Sequence, residues 1–204
     1  AGGERASNAQ YAPNSGLVET EVDMPGVLFV RDDHGIGSYD AFLIPPAALS
    51  YRRGSSRLSE DFEQLLKAQL EHTLFDAAEK AEIPTVREPG ACVMVVAIGL
   101  VEVDVERRSS ADPIGELTVA MEFRDSQSGA PLLHYEAAQS VANDGSGDAP
   151  AEQIIRRFDQ MVRDMQLAGA LRAAGLADDA VRPDCDGLLA ERGRSLSTPA
   201  VSAR

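Results

Sequence analysis

The sequence predicts an α+β domain in which an antiparallel-rich sheet carries two amphipathic helices on one face, a two-layer sandwich. Three observations lead to it. Apolar residues recur at helical spacing through Leu58, Phe62, Leu65, Leu66, Leu70, Leu74 and Ala78, and again through Ile154, Ile155, Phe158, Met161, Val162, Met165, Ala168 and Leu171. Each stripe gives a helix one apolar side that needs a flat surface to cover. Between them, Cys92 to Val105 is apolar throughout its first half and then alternates, Val101, Val103 and Val105 against Glu102, Asp104 and Glu106. That pattern fits a strand covered on both faces at its start and half-exposed at its end. Finally, Leu117, Val119, Met121 and Phe123 alternate along a second strand, Asp125 to Gly129 supplies turn residues, and Leu132 to Val141 returns, which makes an antiparallel meander.

The elements follow in order. Residues 1–24 mix Gly, Ala, Ser, Asn and Pro without a sustained period and read as a flexible leader or tether, with a short strand starting at Leu17. Val27 to Val30 is a strand, Asp32 to Gly37 a turn, and Tyr39 to Ile44 another strand, ended by Pro45-Pro46 because proline cannot donate to a ladder. Ser59 caps the first helix, with Glu60 and Asp61 where its dipole favours negative charge. Pro84 closes that helix and Glu88-Pro89-Gly90 turns the chain. Gly99 marks a bend or bulge in the long strand. Asn143 to Asp148 forms a loop, and Pro150 suits the first turn of the second helix. The pattern then fades, so residues 25–175 form a single domain and 176–204 a mostly irregular tail.

Composition narrows the function. With 204 residues the chain can bury a real core, which has to be aliphatic because aromatic content is 5% and Trp is absent. A formal charge of −14, with basic runs no longer than Arg52-Arg53, Arg107-Arg108 and Arg156-Arg157, argues against binding nucleic acid or an anionic lipid surface. The longest apolar run, Ala91 to Val101, is about half of the roughly 18–20 residues that a membrane helix needs. The opening residues lack a charged region followed by an apolar one, so any signal peptide is expected to have been removed.

Candidate chemistry is sparse. His34, His72 and His134 show no metal-ligand spacing with one another or with Cys. Asp32-Asp33-His34 beside glycines is the stretch most like an active-site loop, and it is equally a polar turn. Asp144, Ser146 and Asp148 alternate like calcium ligands, but Ala149 replaces the required Gly and Ile155 the bidentate Glu. Gly35-Ile36-Gly37 lacks the rest of a dinucleotide fingerprint, and neither a GK[ST] phosphate loop nor a G-x-S-x-G elbow occurs. These readings predict no catalytic residue, metal or cofactor. Cys92 and Cys185 are too few and too far apart for a zinc site. In an oxidising compartment they would form a disulfide pinning the tail to the central strand; otherwise Cys92 is a small core hydrophobe.

Tyr39-Asp40-Ala41-Phe42-Leu43-Ile44-Pro45, Glu88-Pro89-Gly90 ahead of the Val-rich strand, and Glu122-Phe123-Arg124-Asp125-Ser126-Gln127-Ser128-Gly129 resemble, in order and interval, the bacterial family of lipoproteins called domain of unknown function 3313 (DUF3313). The resemblance spans about Gly26 to Val141. It implies a signal peptide, lipidation of an N-terminal Cys and a place in the cell envelope, with no activity attached. Because the sequence starts at Ala1 without that Cys, either it begins just after the lipidated residue or this member carries no lipid. The expectation is a non-enzymatic envelope lipoprotein, periplasmic and tethered to the outer membrane, that binds an envelope protein partner. Two alternatives stand beside it: a hydrolase using the Asp32 to Asp40 loop, and a carrier holding a lipid or small ligand between helices and sheet.

Overall fold

The computed structural model describes residues 16–20, 26–105, 114–140, 156 and 182–190. Within them run β1 (Leu17–Thr20), β2 (Val27–Arg31), β3 (Ala41–Leu43), β4 (Ala48–Tyr51), α1 (Glu60–Lys80), β5 (Thr85–Val86), β6 (Val93–Val105), β7 (Ile114–Asp125) and β8 (Pro131–Ser140). The strands make one sheet in the order β1-β2-β8-β7-β6-β3-β5, with β4 also against β6. β1/β2, β2/β8, β7/β8 and β6/β7 are antiparallel. β3/β6, β4/β6 and β3/β5 are parallel. The sheet is therefore mixed rather than simply antiparallel-rich. The physical reason is α1: it carries the chain from β4 back to β6 as a crossover, and a crossover returns a strand in the same direction.

β3 and β4 lie end to end along one edge of β6, Ala41 to Leu43 beside Val93 to Val95 and Ala48 beside Gly99. Pro45 and Pro46 fall in the gap: they follow the end of β3, as expected, and the edge resumes at β4. Gly99 differs from expectation. It sits in regular register opposite Ala120, and a Cβ there would lie 3.2 Å from the Ala48 carbonyl oxygen, so glycine allows β4 to approach. The irregularity comes later, between Val101 and Asp104, where Glu102 takes φ 53°. Inward-facing Met94, Val96, Ile98 and Leu100 step by two, and the bulge then places Val103 inward.

The same face continues across the meander, Phe123 opposite Leu133, Met121 opposite Tyr135 and Val119 opposite Ala137, then Leu28 opposite Tyr135 and Val30 opposite Leu133. α1 covers it with Leu66, Leu70, Leu74 and Ala78. Ser59 accepts the Phe62 N–H at 3.4 Å as the cap. Leu65, counted in the stripe, is 46% exposed, so the buried face is narrower than the apolar pattern. Each fully buried Leu contributes about 1.5–3 kcal/mol by leaving water. No described helix is long and apolar enough to cross a membrane. The expected second helix, Ile154 to Leu171, and the loop of Asp144, Ser146 and Asp148 lie outside the described residues, apart from Arg156, which is helical.

Candidate functional site: an anchored segment on an aspartate hub

At one end of the sheet, the turn from β7 to β8 makes an acceptor centre. Asp125 Oδ1 receives the Gln127 N–H (3.1 Å), the Ser128 N–H (2.7 Å) and the Ser128 hydroxyl (2.8 Å). Short polar residues fold back in this way because a side-chain oxygen can mimic the turn's own carbonyl. Asp125 Oδ2 receives the Tyr39 hydroxyl at 2.8 Å and Arg182 at 2.6 Å. The Arg182 guanidinium also lies 4.8 Å from the centre of the Tyr39 ring, a cation–π contact. Tyr39 is brought there by the stretch between the 3-10 turn at Ile36–Ser38 and β3.

Burial by itself would raise the Asp125 carboxyl pKa, but the hydrogen bonds from Ser128, Arg182 and Tyr39 outweigh it and hold the group well below the usual carboxylate range. Burial, reinforced by Asp125, pushes the Tyr39 phenol up. A carboxylate offers about four lone-pair directions, and five donors converge on this one. The arrangement favours an ionised Asp125 and a protonated Tyr39, bonded to each other.

Arg182 opens the described part of the expected tail, and residues 182–190 are held against the sheet. Cys185 is bonded to Cys92, just before β6, with Sγ–Sγ 2.04 Å and Cα–Cα 5.5 Å. Asp40 accepts the Asp186 and Leu188 N–H groups, one on each oxygen, both at 3.0 Å. These amides lead into the helical turn 188–190, whose first donors lack intrahelical partners. The Leu189 N–H reaches the Tyr39 carbonyl at 3.1 Å, and the Asp40 N–H reaches the Cys92 carbonyl at 2.9 Å. Four independent attachments thus converge on Tyr39, Asp40, Cys92 and Asp125.

The other candidates separate. His34 is buried and its Nδ1 accepts the Ile36 N–H at 3.1 Å, while the Ser38 hydroxyl donates to the Gly35 carbonyl at 2.7 Å. Asp33 pairs at the surface with Arg31, first by hydrogen bond and then by charge, which lowers its pKa. The Asp32 to Asp40 loop is thus a self-bonded turn whose last carboxylate clamps the anchored segment. His72 faces Asp76 on the exposed side of α1 at 3.5 Å. His134 is buried on the sheet face opposite α1, with Nε2 2.8 Å from Glu136 and Nδ1 3.6 Å from Glu122, which also pairs with Arg124. These three histidines lie on different elements and share no site.

No family model matches this chain, and no curated protein matches it. Among solved structures, a PelC dodecamer from Paraburkholderia phytofirmans is 12% identical, over 72% of this chain and 93% of that one, at TM-score 0.42. A variant of that PelC covers 81% and 98% at 12% identity and TM-score 0.40. Protein XCC0632 from Xanthomonas campestris, of family DUF330, is 12% identical over 68% and 86% at TM-score 0.39. Likenesses at this level establish neither family nor function, and the DUF3313 resemblance remains one of sequence pieces.

Proposed function

We propose that this chain is a non-enzymatic protein of the bacterial cell envelope, periplasmic, held to the outer membrane by a lipid anchor ahead of Ala1, and acting by binding another envelope protein. The observation that carries the reading is the Cys92–Cys185 bridge, because disulfides persist in oxidising compartments and are rare in a reducing cytosol. Two further features support it. Asp125, Tyr39 and Asp40, the polar groups concentrated at the sheet end, are engaged as acceptors and donors of structural bonds. The charge of −14 favours protein over polyanion as a partner. Against the hydrolase alternative stands the bonding of the 32–40 loop to itself and to the anchored segment. The carrier alternative finds the layer between α1 and the sheet occupied by Leu66, Leu70, Met94, Leu100 and Met121, each at most 1% exposed.

Alkylating intact cells before lysis and weighing the Cys92 and Cys185 peptides tests the compartment. The expected result is the linked pair, released with the envelope fraction. Two alkylated thiols would remove the reading. Labelled palmitate entering the full-length gene product tests the anchor, and crosslinking in cells followed by purification tests the partner, which is expected to be one reproducible envelope protein.

A further inference from the structure

We propose that, when the bridge is reduced, Cys92, Cys185 and Asp40 form a binding site for one soft or borderline divalent cation such as zinc, so that a metal replaces the covalent link between sheet and segment. This goes beyond the envelope reading and does not depend on it.

In the sequence the two cysteines form no ligand motif, since 93 positions separate them. The fold supplies the missing third ligand. Asp40 precedes β3, Cys92 precedes β6, and β3 and β6 are adjacent parallel strands, so both side chains emerge at the same end of the sheet. The anchored segment then brings Cys185 beside them. One carboxylate oxygen of Asp40 and the two sulfurs all lie within 4.8 Å of one another, and all three residues are half-buried. Two thiolates and a carboxylate are ligand types that zinc accepts, with a fourth position left for water or a carbonyl. The Asp184 carbonyl oxygen lies 3.3 Å from Cys92 Sγ. Asp40 can coordinate while still accepting its two amides, because each carboxylate oxygen has two lone pairs and an amide uses one.

The chemistry balances without an unnamed reactant. A trialkylphosphine and one water convert the disulfide to two thiols, the phosphine taking the oxygen and becoming its oxide. The cation then displaces both thiol protons as two metal–sulfur bonds form. With the Asp40 carboxylate, three negative charges surround a dication. The oxidised and metal-bound states are mutually exclusive, since each uses both sulfurs.

The test uses the full, untagged chain, kept oxidised or reduced anaerobically with a trialkylphosphine, and titrated with Co(II) and then Zn(II). The expected result is one Co(II) per reduced chain, with a near-ultraviolet sulfur-to-cobalt charge-transfer band that Zn(II) abolishes. The oxidised chain and Cys92→Ser/Cys185→Ser are expected to show no band. Asp40→Asn should keep the band but bind at least about tenfold more weakly, the scale on which even an outer-shell partner acts. Because Asp40 also holds two amides, Asp40→Glu is measured beside it and should recover affinity by restoring the carboxylate. A reduced wild type that binds no more Co(II) than the double serine variant overturns the proposal, as does equal affinity in wild type, Asp40→Asn and Asp40→Glu.

Discussion

Replacing Asp125 with Ala removes the acceptor on which the sheet end and the anchored segment converge. Its side chain is 7% exposed and receives five donors. The Gln127 and Ser128 donors sit on an exposed turn and regain water, so their loss costs little beyond the turn's local order. The Tyr39 hydroxyl belongs to a residue 2% exposed, and an unmet buried donor costs about 1–3 kcal/mol. Arg182 is 36% exposed, which discounts its ion pair to about 1 kcal/mol. Together these predict a loss of about 2–4 kcal/mol, a large part of the 5–15 kcal/mol that domains typically possess. Asp125→Asn, which keeps one acceptor, is expected to lose about 2 kcal/mol. Urea unfolding of the oxidised proteins measures both. The acid limb gives a second readout. Because the native carboxyl pKa is depressed, its contribution is complete well above the unfolded value of about 3.9 and is lost as pH falls through that value toward the native one. Wild type should therefore lose stability more steeply than Asp125→Asn between about pH 5 and pH 2. A loss below about 1 kcal/mol in Asp125→Ala, or parallel acid limbs, would refute the hub.

The bridge spans a sequence separation of 93, so Cys92→Ser/Cys185→Ser should lose about 4–5 kcal/mol in the chain-entropy account, read as a lower urea midpoint. Gly26 holds φ +112°, and a Cβ there would collide with the Glu136 carbonyl oxygen and approach the Tyr135 hydroxyl to 3.0 Å; Gly26→Ala should lose more than about 2 kcal/mol by thermal unfolding, whereas Gly129→Ala meets open space and costs only its φ of +69°. The Tyr51 phenol, pushed up to about 12 by burial and its hydrogen bond to Glu63, stabilises the fold fully below the unfolded value of about 10, and that contribution fades as pH rises through 12. Ultraviolet titration should show an ionisation near 12 that Tyr51→Phe removes.

Much of the sheet could be read from its apolar rhythm. β7 and β8 alternate cleanly because one face meets the core, and the Ser59 cap with the Leu66, Leu70 and Leu74 stripe marks α1. Two features were hidden for physical reasons. Strand direction is not encoded in alternation: β3 and β4 have the composition of ordinary strands, and only the crossover through α1 makes them parallel to β6. Nor does a pattern of residue types reveal a φ of 53° at Glu102, so the bulge was assigned to Gly99, the residue that bulges ordinarily favour. Gly99 was informative in another way, since a missing Cβ is also what a close strand approach requires.

The site was legible in its parts and not in its assembly. Tyr39-Asp40 and Asp125 to Gly129 stood out as conspicuous pieces, and Cys92 with Cys185 as the candidate pair. Arg182, in an aperiodic stretch, carried no signal at all. What joins them is tertiary: parallel pairing places Asp40 and Cys92 at the same strand end, and the β7–β8 turn brings Asp125 to Tyr39. Sequence spacing detects chemistry only when the ligands are local, as in a loop or one helix face. Here the groups come from four separate segments, around residues 39–40, 92, 125 and 182–190, and the acids among them stand in a strongly acidic chain where such residues are common. Five donors commit Asp125 to structural bonds, whereas Asp40, with one amide on each oxygen, keeps lone pairs to spare. At this end of the molecule the sulfur pair is the covalent link that exchange can open, which is why a redox or metal perturbation there bears directly on the state of the anchored segment.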